Sequence, residues 1–280
     1  MNLVHEQTSP QLAIEFCFSE EEPRAALSPV DEFIRSIISI NKLCEDPLSM
    51  PNELGHLMVL GYVSAVESYI RSLLVRIIGV DEASNVASAR EPIPFSSALN
   101  HDREIMTEAL FEDLTFLNVK SISESLVRYL GFKRGPAERM VKNIATQYIR
   151  VCQVRHCIVH RFGKLGSKNA WALGFEDHKE NVERTIILKY DKIQEMATIC
   201  DNFVRSLNNY CYGVVLSRTH HDGWVRWSGD LRKDRSRFSQ YHEIFASCRH
   251  RPASPGVRDA YNEFRDKVLS LHPEPGSFQS

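Results

Sequence analysis

Between Asn52 and Ile78 the apolar residues Leu54, Leu57, Met58, Leu60, Val63, Val66, Ile70, Leu73, Leu74 and Ile77 recur with the 3.6-residue helical period, and Gly79 supplies a C-terminal stop. A stripe of that length is buried only when other helices pack along it. Two further long segments answer the need. Pro136 opens one at a position that favours proline, and Met140, Val141, Ile144, Tyr148, Cys152 and Val159 carry it to about Arg161, before Gly163. The other runs from Tyr190 to Tyr212. Shorter helices are expected from Pro29 to Cys44, at about 103–115 and at about 121–130, the last stopped by Gly131. Residues 81–101 read as a connector with a short helix at its end. Asn169–Phe175 and Val182–Lys189 are richer in β-formers and flank the turn-like EDHKEN, which predicts a small hairpin. The expected fold is therefore all-α, an antiparallel helical bundle with a small β-hairpin inserted before the last core helix and extensions at both ends.

Charge divides the chain in the same way. Residues 1–50 carry nine acids and three bases, including Glu20-Glu21-Glu22, and form an acidic N-terminal extension with one helix. Residues 217–280 carry eleven bases and eight acids with five of the eleven histidines, a basic C-terminal extension. The helical core is expected over 51–216. The whole chain has a net charge of -2, so any polyanion site must be local. Leu57–Val80 is interrupted by Glu67, Arg71 and Arg76, which argues against a membrane span. The start, MNLVHEQTSPQLAIEF, lacks a basic region followed by an apolar run, and the seven cysteines contain no Cys-x2-Cys pair. These features predict a cytoplasmic protein with reduced thiols that fill the core.

The chemistry is concentrated in Val154-Arg155-His156-Cys157-Ile158-Val159-His160-Arg161. An Arg-x4-His spacing alone is weak: 23 arginines and 11 histidines in 280 positions give about one match by chance, and the chain has a second at Arg237 and His242. Context separates them. On a helix His156 and His160 lie within about 40° of each other, while Arg155 points about 140° from His160 and has to reach round to a shared cleft. Three ionisable groups at one end of an otherwise apolar helix need a purpose or a partner. Glu67, an acid inside the apolar stripe of the first long helix, is the candidate partner, with Arg155 as the guanidinium it would fix.

At these residues the chain resembles the HEPN family, whose signature is Arg, a polar residue, three further positions and His near the end of a bundle helix. Here it reads Arg155-His156-Cys157-Ile158-Val159-His160, and Tyr62-Val63-Ser64-Ala65-Val66-Glu67-Ser68-Tyr69-Ile70 is similar to the first core helix of such domains. The resemblance covers about residues 53–212. It implies a metal-independent endoribonuclease of a toxin–antitoxin or anti-phage defence system, acting on RNA without a cofactor as a homodimer with a composite active site, and restrained by an antitoxin or sensor protein. The alternative is a non-catalytic HEPN-like module that binds RNA, nucleotide or a protein partner.

Residue chemistry suits the first reading. Attack of a 2′-hydroxyl on the adjacent phosphate needs a proton acceptor, a proton donor and a counter-charge for phosphorus oxygens. His160 is expected as acid/base, Arg155 as phosphate ligand and His156 as an orienting or assisting group. Arg161, Lys164, Arg232, Lys233 and Arg235 are candidate RNA contacts. Trp224, Trp227 and Tyr241, interleaved with the C-terminal cations beside His220-His221, offer stacking, although a solvated charged face explains the same pattern. His156-x3-His160 has the spacing of two zinc ligands on one helix face, but neither the Glu of the helical zinc signature nor a third ligand accompanies it, so no metal is expected. Cys152 and Cys157 read as packing.

Overall fold

In a computed structural model the described residues, 3–5, 7–18, 27–93, 95 and 103–269, form ten α-helices and no strand. They are α1 (Pro29–Asn41), α2 (Asn52–Val80), α3 (Glu82–Ser88), α4 (Arg103–Ala109), α5 (Val119–Leu130), α6 (Arg134–Arg161), α7 (Ser167–His178), α8 (Tyr190–His221), α9 (Leu231–Phe245) and α10 (Val257–Phe264). The chain is thus all-α, and among the described residues no helix is long and apolar enough to cross a membrane.

Helix ends follow local chemistry. Ser28 caps α1 by accepting from the Asp31 amide, with Pro29 in the first turn. Asn118 caps α5, and Gly131 ends it at φ 67, where the amides of Gly131 and Phe132 reach back to Val127 and Leu126. The connector after α2 differs from expectation: its helix, α3, stands at the start, where the Asp81 side chain accepts from the Ser84 amide. Most of the connector's end, like Glu20–Glu22, lies outside the described residues.

The three long helices pack side by side, and Tyr148 of α6 stacks on Phe203 of α8 with ring centroids 4.4 Å apart. One continuous apolar core includes Val30 and Phe33 of the acidic stretch, the buried faces of α2, α6 and α8, and Phe238, Tyr241 and Phe264 of the basic stretch. α8 runs nine residues beyond Tyr212, α9 folds back onto it and α2, and α10 packs on α9. At their junction Arg218 is bound to the buried carboxylate of Asp81 and to the Leu130 carbonyl, which fixes the α2 C-terminus against α8.

The predicted hairpin is absent. Residues 169–175 belong to α7, because Ala170 and Leu173 share a helical face that packs against Cys157 and Leu165. The segment that follows the left-handed turn at Glu183 pairs instead with the turn after α6: the Ile186 amide donates to Gly163 O (2.9 Å), the Leu165 amide to Arg184 O (3.0 Å) and the Glu183 amide to Leu165 O (2.9 Å). Richness in β-formers marked one extended segment there correctly but assigned it the wrong partner.

Candidate active site

The first turn of α2 holds that extended segment in place. Asn52 accepts from the Leu188 amide at 2.8 Å through its side-chain oxygen and donates to Ile186 O at 3.2 Å. His56, one turn later and buried, places Nε2 2.9 Å from the same carbonyl. The ring of His56 lies directly beneath Gly163, whose φ of 87° ends the α6 region. Phe162 before it is also left-handed (φ 50°) and 85 % exposed, and the Gly163 amide closes the helix by donating to Cys157 O at 3.1 Å. The last turn of α6 is therefore pinned from below.

His156 and His160 project from that turn, both exposed, with ring centroids 4.4 Å apart and planes inclined at 49°. The structure brings these two together as their spacing predicts. Partial loss of water around its ring, followed by the positive potentials of His160, Lys168 and Arg155, holds His156 below the ordinary imidazole range. His156 is thus biased toward its neutral form.

Arg155 is half-buried on the flank of α6, and its expected ion pair with Glu67 does not form. Glu67 Oε1 instead accepts from the Phe116 amide at 3.0 Å, while Tyr148 donates to the Phe116 carbonyl at 3.2 Å and Arg71 donates to the Phe111 and Leu114 carbonyls. The acid in the apolar stripe satisfies a backbone donor in the connector between α4 and α5, a demand as strong as that of a charged partner. Glu67→Ala should cost about 1–2 kcal/mol of stability in urea denaturation, because the amide loses its acceptor. Glu67→Gln keeps an accepting oxygen and should cost less than about 1 kcal/mol. Among the described residues Arg155 has no hydrogen-bond or ion-pair partner, so its fork of donors is uncommitted.

The other expected RNA contacts divide. Arg161 is held by both carboxylate oxygens of Glu183, at 2.6 and 2.8 Å, and staples the α6 end to the extended segment. Lys164 is exposed beside the motif. Arg232, Lys233 and Arg235 are exposed on α9, and Arg232 is paired with Asp230. This cluster does not share a site with the histidines. Trp227 donates to Thr219 at 2.9 Å near Arg218 and Asp81, whereas His56 and Gly163 mark the other end of α2, about 35–40 Å away along the helix. Trp227 and Tyr241, expected as stacking faces, pack around Phe238 and Phe264. The signal was present in the sequence: Asp234, Phe238, Tyr241 and Phe245 recur at core spacing along α9.

Burial pushes the Cys152 thiol up to about 12, which suits a packing role. Among the described residues no group of three or more His, Cys, Asp or Glu is placed to hold a metal ion. Sequence reasoning missed Asn52, His56 and Gly163; the polar pair at i and i+4 at the head of an apolar helix was the available sign. Comparison with known proteins finds no matching family model, curated protein or solved structure.

Proposed function

We propose that the chain is a HEPN-like, metal-independent endoribonuclease that cleaves RNA by transesterification. The observation that carries this reading is a pair of exposed imidazoles in contact at a pinned helix end, one of them biased toward its neutral form, beside an arginine with no partner among the described residues. A neutral imidazole takes the proton of the ribose 2′-hydroxyl as its oxygen attacks phosphorus. A protonated imidazole gives a proton to the 5′-oxygen as the P–O5′ bond breaks. Arg155 meets the charge on the non-bridging oxygens. The products are a 2′,3′-cyclic phosphate and a 5′-hydroxyl.

The geometry of the pair also argues for two copies. In-line displacement puts the entering and leaving oxygens on opposite sides of phosphorus, and rings 4.4 Å apart leave no room for a phosphate between them. One protomer therefore serves one side through its His156, and the His160 of a twofold-related copy serves the other. In this reading the protein acts in toxin–antitoxin or anti-phage defence, with an antitoxin or sensor protein as its restraint.

The test is cleavage of labelled RNA in EDTA by the wild-type and His160→Ala proteins. Wild-type cleavage with loss of at least about 100-fold in the variant is expected, since general acid–base catalysis supplies 10²–10⁴-fold. Equal slow background from both contradicts the proposal. The pH profile follows from both roles: the acceptor His156 must be neutral, so kcat/KM should be lost as pH falls through a value below the ordinary histidine pKa of about 6.5, and the donor imidazole must be protonated, so it should fall again on the alkaline side. An acid limb centred above about 6.5 in rate measurements argues against His156 as the acceptor.

A further inference from the structure

Trp171 is 68 % exposed, yet its indole does not stand alone: it stacks on Phe175, four residues on and across the kink at Gly174, with centroids 4.4 Å apart and planes within 9° of parallel. One aromatic face is covered by Phe175 and the other is left to solvent. We propose that this open face of Trp171 is a binding subsite for an unpaired nucleobase of a single-stranded RNA whose backbone passes Lys168 to reach the His156–His160 pair. The inference deepens the ribonuclease reading and rests on it for the identity of the ligand.

Three observations place the platform next to the histidines. α7 is clamped along α6 by the Asn169 side chain donating to Gln153 at 3.0 Å and by Arg150 donating to Leu173 O at 3.1 Å, so Trp171 is carried by a neighbouring helix and not by a free loop. Gln153 lies one turn before His156, so the first turn of α7 runs beside the part of α6 that carries His156. Lys168, one turn before Trp171 on the same face of α7, is exposed and near enough to His156 for its charge to be felt there.

Charge then chooses the ligand. The approach from the platform to the motif carries Lys168, whereas the acids of α7, Glu176 and Asp177, lie at its far end, with Glu176 tied to Lys179 at 2.7 Å. A cation between an open indole face and two imidazoles fits a strand that alternates phosphate and base: phosphate on the ammonium, base on the ring. Stacking needs a base that is free of a duplex, so the subsite selects single-stranded or looped RNA. Gly174, at φ 111°, bends the chain between the two rings, a conformation that L side chains rarely adopt.

The experiment is fluorescence anisotropy with a short labelled strand that is 2′-O-methylated throughout, so that no 2′-oxygen can attack, titrated with wild-type, Trp171→Ala, Trp171→Phe and Lys168→Ala proteins at several salt concentrations. Trp171→Ala should weaken single-strand binding about tenfold or more with an unchanged salt slope, and Trp171→Phe should stay within about threefold. Lys168→Ala should reduce the salt slope by about one. Binding of a blunt duplex should be the same for wild-type and Trp171→Ala. Single-strand binding by Trp171→Ala equal to wild type overturns the subsite and leaves the nuclease reading to the EDTA assay. Weaker binding accompanied by dissociation in sedimentation makes Trp171 a contact between copies and overturns it too. A wild-type protein that does not hold the strand at all also overturns it, while cleavage of unmodified RNA in EDTA is judged separately.

Discussion

Arg155→Lys is expected to lower the rate of RNA cleavage by at least about 100-fold while leaving the thermal midpoint nearly unchanged. The two halves of this expectation come from different observations. Arg155 has no partner among the described residues and is half-buried, so an ammonium on a similar stem takes nothing from the fold. Catalysis is another matter, because a guanidinium presents a rigid fork of donors that matches two phosphate oxygens and an ammonium is a point charge. Loss of one such donor at a developing oxyanion costs about 10²–10³ in rate. Single-turnover kinetics beside a melting curve separates the two. A variant that melts early and cleaves in proportion to its folded fraction makes Arg155 a structural residue.

The second large effect concerns the floor of the site. A Cβ on Gly163 would stand 2.4 Å from His56 Cε1, and the backbone there has φ 87°. The neighbour cannot step aside cheaply, because His56 is buried and bonded to the Ile186 carbonyl. Gly163→Ala is therefore expected to destabilise the protein by about 2–4 kcal/mol, from left-handed strain of about 1–2 kcal/mol together with overpacking. The damage should be local to the end of α6, so cleavage falls further than the folded fraction alone explains. A cycle with His56→Ala checks the cause. Removing the ring relieves the clash but not the strain, so the two changes should couple by more than about 1 kcal/mol in urea unfolding. Additive effects indicate that the contact between ring and glycine is not what holds the turn.

How far the sequence discloses this arrangement depends on the range of the interaction. Patterns that repeat along one helix were legible: the stripe of α2, the stop at Gly131 and the juxtaposition of His156 with His160 each follow from the helical period or from the freedom of glycine at positive φ. Choices between distant partners were not. Glu67 advertised a polar need on an apolar face, but its position on α2 does not say whether a guanidinium or the Phe116 amide answers it. The extended stretch before α8 was visible in its β-formers, yet its mate, 163–165, is set by how α2 and α6 end beside one another. The cations of α9 were likewise read with the wrong companions. Trp227 and Tyr241 lie near them in sequence, but the period of α9 turns Tyr241 inward, Trp227 packs on the same cluster, and the whole group sits at the opposite end of α2 from the histidines.

The most direct measurement of the central claim is mass spectrometry of the product ends after cleavage in EDTA, using a defined RNA and the same strand with one 2′-deoxyribose at the principal cleavage position. Transesterification by imidazoles and Arg155 predicts a 2′,3′-cyclic or 3′-phosphate on one fragment and a 5′-hydroxyl on the other, with no cut at the deoxy position. Fragments that bear a 5′-phosphate, appear only with Mg²⁺ and include the deoxy position would contradict it.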